Sequence, residues 1–585
     1  METQSAINFS AGDCVRLLYE RRHGALSAYF LDALDKLAKL QTFERSAASV
    51  NFCDVFMQSL GFCFAQTGYV PDPPSAVRFV AHNATIASIA EFSNFGTTDT
   101  TLRMLLAQPN AAAKTMALYS PRNSVEIPAA QFFDADPVLA SHWWFAYQAT
   151  RWIGSAEILA RLRKHWREFD PRLRIVDWNF NGPYFLVTYA DPAHEAGVKS
   201  RINALVRQRW PAPPPCAAET DPRHIVVLSA FWYKSHAVWR TNQKFLESLR
   251  GKYRLTLVTI GYPKSDYDLA PFERVIQLPP DQSEVDVAAL RNLGAAAAFY
   301  PDVGMSPLSI VLANHRIAPV QFMTHGHPSS TFGSEIDYYI SGRDIDGPQT
   351  VANYAERLAL IGGRGVDPTY RSAPADARTR PDDRYVVSCP WTVPKTNADM
   401  VALLRRIADR ADRPVHFHFM PGRGIGNFGY FTYADILEKG LPGSRVTVHP
   451  PLATDAYLAQ IRASHLTLDS YPFGGFNTVV DALNQGVAIV AYEGARAFAK
   501  FGAHFLRKAD LGELVATDDE SYVATAGRIL NDAGYRNDLE ARIAVSAARQ
   551  ELYTDSSTDF PRLVDYLIAN HEKLRADKSR APIAV

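Results

Sequence analysis

Apolar positions follow two regimes along the chain. Up to about residue 210 they recur at helical spacing. Leu26, Phe30, Leu34 and Leu37 are four, four and three apart, which predicts one buried helix face, and Asp13 stands where an N-cap ahead of that run would. Similar stretches follow around 83–94, 101–108, 137–148 and 151–166, divided by Pro, Gly and Asn clusters. No fixed period of the helical-pair kind, about 34 residues, runs through them. The expectation is an irregular all-α domain over 1–210. Trp210-Pro211-Ala212-Pro213-Pro214-Pro215 then places four prolines in five residues, which predicts a stiff linker over 211–221.

Beyond the linker the pattern becomes short β-branched runs alternating with helical segments. Ile225–Leu228, Leu255–Val258, Pro319–Phe322 and Tyr338–Ile340 form one series, with helices expected at 242–250 and 287–293. Tyr385–Val387, Val415–Phe419, Val446–Val448, Leu466–Leu468 and Ala488–Val490 form a second, set off by a Pro-, Ala-, Asp- and Arg-rich stretch at 371–383. Strands alternating with helices imply parallel sheets covered on both faces. The fold class is therefore α/β, with doubly wound domains over 222–375 and 383–585 facing one another across a cleft. Ligands in such sheets sit beyond the carboxyl ends of the strands.

Composition narrows the classes. At about 150 residues per domain, 585 residues allow roughly four domains, and 47% hydrophobic with 21% charged residues is an ordinary globular balance. Lys+Arg and Asp+Glu are 61 each, which argues against a bulk electrostatic grip on nucleic acid or anionic membrane. No apolar run approaches the roughly 18 residues of a membrane span, and the N-terminus lacks the layout of a signal peptide. Cys14, Cys53, Cys63, Cys216 and Cys389 are scattered and odd in number. Reduced thiols in a cytoplasm are expected, without a disulfide framework or zinc site.

The most informative segment is D-S-Y-P-F-G-G-F-N-T-V-V-D-A-L-N-Q-G, 469–486. A strand ends near Asp469, a glycine turn follows, and a helix starts near Phe476. Asn477 and Asp481 share one face of it. Gly474 and Gly475 permit close backbone approach, so a diphosphate could sit at the helix start with Asn477 and Thr478 donating and Asp481 on ribose hydroxyls. The bland alternative is a capping Asn477 and a solvated Asp481. Thr392-Val393-Pro394-Lys395 follows a strand, where Lys395 could neutralise a phosphate leaving group or simply be solvated. His236 and Arg240 share a helix face past the first strand. His236 could orient or deprotonate an acceptor, or cap the helix beside aromatic neighbours.

Other matches carry less. His325-Gly326-His327 and His416/His418 lack further ligands at metal spacing, so no metal site is expected. Gly424-Ile425-Gly426-Asn427-Phe428-Gly429 matches a dinucleotide fingerprint in letters but has no acid placed about 20 residues on. Asp-x-Asp occurs at Asp134/Asp136, Asp266/Asp268 and Asp344/Asp346, none beside the diphosphate candidate.

The run A-P-V-Q-F-M-T-H-G-H-P-S-S-T-F-G-S-E-I-D-Y-Y-I-S-G, 318–342, resembles the glycosyltransferase family of the O-GlcNAc transferases. It is most similar to the bacterial cytoplasmic N-glycosyltransferases that modify high-molecular-weight adhesins. S-H-A-V-W-R-T (235–241), T-V-P-K (392–395) and Y-P-F-G-G-F-N-T-V-V-D (471–481) agree, in the family's order. The resemblance implies a GT-B fold of two Rossmann-like domains: an acceptor-side domain over 222–375 and a UDP-sugar domain over 383–585 carrying the C-terminal helices. It implies an inverting, metal-independent enzyme without cofactor, moving a hexose, glucose first among candidates, from a UDP-sugar to Asn in Asn-x-Ser/Thr sequons of an adhesin-like protein. By position, Thr392 and Lys395 would contact the diphosphate, with Gly475, Asn477 and Thr478 at the helix start and Asp481 on the ribose. His236 and Arg240 would serve the acceptor or sugar side. Phe476 stands where O-GlcNAc transferases have a histidine. Ser/Thr O-glycosylation with the same donor site, and a non-catalytic binding partner, are the alternatives.

Overall fold

The computed structural model describes residues 7–40, 46–148, 154–213, 219–261, 264–279, 285–369, 379–422, 427–549 and 552–585, the side chains of 427–432 excepted. Part of the proline linker, Cys216, most of the 371–383 stretch and the start of the 424–429 glycine run lie outside these residues. Two compact units are present. One comprises Met1–Pro183, Trp391–Arg405 and His418–Leu452; the other comprises Tyr184–Pro390, Arg406–Phe417 and Ala453–Val585. The boundaries expected at 211–221 and 375–383 fall within the second unit.

The first unit is mainly helical. Leu26, Phe30, Leu34 and Leu37 are fully buried on the helix His23–Lys39, and Phe30 meets Phe56 edge-on at 5.8 Å. The 83–94, 101–108, 137–148 and 151–166 stretches are the helices Asn83–Phe92, Asp99–Leu106, Pro137–Tyr147 and Ala156–Arg167. Asp13 is not an N-cap. Ser10 caps the helix Ala11–Tyr19, its Oγ accepting from the Asp13 N–H, and Asp13 occupies the first turn, where a negative charge also suits the helix dipole.

Fourteen strands are present among the described residues. In chain order they are β1 (Asp221–Ser229), β2 (Arg254–Ile260), β3 (Arg274–Leu278), β4 (Ala295–Tyr300), β5 (Val320–Met323), β6 (Tyr338–Gly342), β7 (Arg357–Ile361), β8 (Tyr385–Cys389), β9 (Val415–Phe419), β10 (Arg445–Val448), β11 (Leu466–Leu468), β12 (Ile489–Tyr492), β13 (Val515–Ala516) and β14 (Ile583–Ala584). They form an eight-stranded sheet, β14-β7-β6-β5-β4-β1-β2-β3, and a six-stranded sheet, β10-β9-β8-β11-β12-β13. The pairings β1·β2, β1·β4, β4·β5, β6·β7, β8·β11 and β11·β12 are parallel. In the first sheet the strand order reverses between β1 and β4, the switch point at which ligands approach such sheets.

Ala295–Tyr300, not among the expected strands, is β4, with all six residues buried. β4 pairs with β1 on one side and β5 on the other. The core of this sheet draws on Ile225, Val227, Leu257, Phe299, Phe322 and Ile340. The C-terminal segment, expected with the second domain, packs on the first sheet instead. Phe560, Leu563, Val564 and Leu567 of the helix Phe560–Ala576 join that core, a stripe at i, i+3, i+4 and i+7. β14 then adds beside β7.

Phe560 stacks on Phe245 at 4.3 Å and is fully buried. Phe560→Ala is expected to lower unfolding free energy by about 3–5 kcal/mol in urea titration. Tyr566→Ala, on the exposed side of the same helix, should stay within about 0.5 kcal/mol of wild type.

Candidate functional site

Two loops at carboxyl ends of strands are organised by buried carboxylates that the sequence did not single out as functional. Past β4, Asp302 is fully buried and accepts from Ser229 Oγ and, at 3.2 Å, from the Ala230 N–H at the end of β1. Burial pushes its carboxyl up to about 6. Past β11, Asp469 Oδ1 accepts from the Ser470 N–H at 2.8 Å and the Gly475 N–H at 2.6 Å, and the Tyr522 hydroxyl donates to its carbonyl. Each carboxylate gathers backbone donors that no strand or helix would satisfy.

The Asp469 turn delivers the helix Asn477–Asn484, whose N-cap is Phe476, with no side-chain cap. Gly475 contributes space. A Cβ there would lie 2.0 Å from Thr478 Oγ1, and its N–H is held by Asp469, so it is not an open donor for a phosphate. Asn477 Oδ1 is buried and lacks a hydrogen-bond partner. In isolation, the first N–H groups of a helix have no intrahelical partner and carry partial positive charge.

Asp481 sits one turn further on and is not open to a ribose. Arg240 Nη2 donates to its Oδ1 at 2.7 Å and Nη1 to its Oδ2 at 3.1 Å, and the two residues are 7% and 1% exposed. One guanidinium thus occupies both carboxylate oxygens, and Arg240 is correspondingly not presented to a sugar or acceptor. Two residues expected in separate roles are one buried fork.

His236 lies one turn before Arg240 and is the N-cap of the helix Ala237–Leu249. Its Nδ1 accepts from the Val238 N–H at 3.2 Å, and it stacks on Phe231 at 4.6 Å. Burial lowers it to about 4, so it is neutral at pH 7. With Nδ1 accepting, the ring proton is on Nε2, which makes that nitrogen a donor. A base at Nε2 would require the other tautomer and loss of the cap.

Thr392 and Lys395 belong to the first unit, on the loop after β8. Thr392 is exposed and Lys395 half-buried in a short turn, Val393–Lys395, whose Lys395 N–H bonds the Thr392 carbonyl at 2.8 Å. The loop is anchored on both sides. Trp391 is buried edge-on to Phe419 at 6.0 Å, and Thr396 Oγ1 bonds the Tyr433 hydroxyl at 2.6 Å.

The remaining histidines and Asp-x-Asp pairs have structural partners. His325 bonds Ser341 Oγ and the Tyr339 hydroxyl, and burial lowers it to about 4. His327 packs on Phe185 at 4.8 Å and burial lowers it to about 3. Gly326 between them is forced, since a Cβ would meet the Pro301 carbonyl oxygen at 1.7 Å. His418 bonds His449. Asp136 caps the helix Pro137–Tyr147, Asp268 accepts from Trp239, and Asp346 accepts from Ser341 and Tyr354. Among the described residues, Asp344, His504 and Asp555 bring possible ligand atoms within 4.8 Å, but Asp555 already pairs with Lys508 and Arg364.

Two outcomes follow from this geometry. His236→Ala should cost about 1 kcal/mol in thermal unfolding, whereas His236→Asn, which restores an N-cap acceptor, should stay within about 0.5 kcal/mol. Asp302 holds its proton more tightly folded than unfolded. Its contribution is therefore complete below the unfolded value near 4 and is lost as pH rises through about 6. Stability measured from pH 4 to 7 should fall by about 2 kcal/mol more in wild type than in Asp302→Asn.

No family model matches the sequence. UDP-glucose:protein N-beta-glucosyltransferase of Actinobacillus pleuropneumoniae serotype 5b (strain L20) is 24% identical over 564 residues, 88% of this chain and 88% of its own. The protein of the same name from serotype 7 (strain AP76) is 24% identical over 558 residues, again 88% of each. Among solved structures, a mutant O-GlcNAc transferase from Thermobaculum terrenum superposes with a TM-score of 0.59 at 18% identity, covering 94% of this chain and 98% of its own. That likeness shows the fold: α/β of the GT-B type, two parallel sheets with a helical N-terminal region. The chain is thus related, over 88% of its length, to proteins named UDP-glucose:protein N-beta-glucosyltransferase, on the fold of an O-GlcNAc transferase.

Proposed function

We propose that this protein is a metal-independent, inverting glycosyltransferase that moves a glucosyl group from UDP-glucose to Asn side chains of a polypeptide, in Asn-x-Ser/Thr sequons. One observation carries the reading: the similarity to two UDP-glucose:protein N-beta-glucosyltransferases spans 88% of both partners. The β linkage in their name, against the α linkage of UDP-glucose, is inversion at the anomeric carbon.

In one displacement the acceptor amide nitrogen bonds to that carbon, the bond to the diphosphate oxygen breaks with UDP leaving on the electron pair, and the amide proton passes to solvent. The chain's task is to stabilise the departing diphosphate and to orient a weak nucleophile. Lys395 supplies an ammonium for the diphosphate and Thr392 a hydroxyl. Asn477, Thr478 and the uncapped helix start supply donors, in a turn that Gly475 makes close enough. His236, neutral with Nε2–H outward from its cap, orients the acceptor by donation. An adhesin-like acceptor and a cytoplasmic site of action complete the proposal. The free thiols of Cys14, Cys53, Cys63 and Cys389 suit that compartment, and among the described residues no helix is long and apolar enough to cross a membrane.

The test uses purified protein, UDP-glucose, EDTA and a peptide with one Asn-x-Thr sequon, read by intact mass. The expected result is a gain of one hexose, absent with an Asn→Gln peptide and slowed about 100-fold or more by Lys395→Ala. Absence of both transfer and UDP binding by calorimetry would overturn the reading.

A further inference from the structure

We propose that a pocket in the first unit, between the turn after the helix Ala11–Tyr19 and the turn after the helix Ala47–Ala65, binds a β-glucosyl group carried on a polypeptide, so that the protein holds the product of its own reaction. The inference deepens the reading above and rests on it for the identity of the sugar. None of the residues assigned there to transfer lines this pocket.

The cavity is about 530 Å³, within the usual range for a small-molecule site, and its walls are fixed. At the end of Ala47–Ala65 the Phe64 and Gln66 carbonyls accept from Lys114 Nζ at 2.8 and 3.1 Å, and the Ala65 carbonyl accepts from Gln108 Nε2 at 2.8 Å. A helix terminus that would otherwise leave carbonyls open is thereby held still. Tyr69, fully buried, bonds Ser27 Oγ through its hydroxyl at 2.8 Å, and its ring meets His23 edge-on at 5.5 Å.

Three more lining side chains stand where packing gives no reason for them. Tyr19 is 81% exposed, the highest value among the exposed large apolar side chains of the described residues, and Phe62 is 46% exposed, so neither ring is enclosed by the core. Arg21 has φ +55° just past the C-cap Glu20. Its N–H bonds the Leu18 carbonyl at 3.0 Å and the Arg22 N–H bonds the Leu17 carbonyl at 2.9 Å, the helix ending in which glycine usually takes this position. Arginine is strained there, and what it supplies is a side chain at the pocket. Among the described residues that side chain has no carboxylate partner, whereas Arg16 and Arg22 pair with Asp13 and Glu20.

The lining selects the ligand. It offers aromatic rings and the planar polar groups of Arg21, His23 and Gln66, with no Asp or Glu. A β-glucosyl ring carries every substituent equatorially. Its flat C–H faces pack on aromatic rings, and its rim of vicinal hydroxyls pairs with planar donors and acceptors. A purely apolar segment would leave those polar groups unpaired, and an anion gains little from one exposed guanidinium. A glucosylated acceptor held here stays bound between successive transfers, which raises the effective concentration of its remaining sequons.

The test is calorimetry with a synthetic peptide carrying one β-glucosyl-Asn, and with the same peptide unmodified, on wild type, Tyr19→Ala, Phe62→Ala and Arg21→Gly. Wild type should bind the glucosylated peptide about tenfold more tightly or better, with methyl β-glucoside competing and inorganic phosphate not. Each variant should lose that preference, yet transfer to a single-sequon peptide with kcat and KM within about threefold of wild type. Arg21→Gly relieves the strained backbone and should melt no lower than wild type, so its lost preference is not unfolding. Equal affinity for the two peptides in wild type, or competition by phosphate, overturns the inference. A preference that survives in the variants also overturns it, by placing the glucosyl group elsewhere, the transfer site included. Because the ligand is synthetic, wild type that binds it but transfers no glucose overturns the proposed reaction and not the pocket, which separates the two failures.

Discussion

Burial of ionised and polar groups at strand ends is the constraint on which the rest of the second unit depends. A parallel sheet ends in loops whose backbone donors face inward, where leaving one unmatched costs about 1–3 kcal/mol. Here carboxylates meet that demand. Asp302 takes the donors past β1, and Asp469 takes those of the glycine turn past β11. Glu356 accepts from Ser330 Oγ and, at 2.9 Å, the Thr331 N–H. Glu195, fully buried, accepts from Lys199, Thr188 and Ser329 and pairs with Arg496. Loops fixed in this way hold a helix start or a histidine where packing alone would not.

This arrangement also divides labour among neighbouring residues. In the 469–481 segment Asp469 shapes the turn, Gly475 admits Thr478, and Asp481 is tied from behind by Arg240. Asn477 and Thr478 remain at the helix start. In the 229–240 segment Asp302 shapes the strand end, His236 caps the helix, and Arg240 reaches away to Asp481. Each segment is therefore mostly scaffold, with few atoms left for a ligand. His325 and His327 follow the same rule, since their ring nitrogens and faces are taken up by Ser341, Tyr339, Phe185 and Thr188.

Much of the architecture was legible from periodicity. Nine of the expected runs became β1, β2, β5, β6 and β8 to β12, because β-branched residues alternating with helical stretches leave few other solutions. β4 was not legible. Four consecutive alanines favour helix intrinsically, and only burial between β1 and β5 makes them strand. Asp13 and Ser10 illustrate the smaller misses, since both types suit a helix start and only the backbone conformation separates cap from first turn.

The sequence by itself determined most of the elements, the motif order and the kinship, since these rest on local patterns that 24% identity preserves. It also offered both readings of His236 and Asp481, functional and structural, at equal spacing. For Asp481 the structural partner emerges only in the tertiary structure, because a residue 241 positions distant in the chain is invisible to any local window. Tertiary structure likewise sent the helix Phe560–Ala576 and β14 back to the first sheet, where an apolar stripe found its matching core. Side-chain chemistry was written in the sequence; which groups it would be neutralised by was settled only when long-range packing brought them into contact.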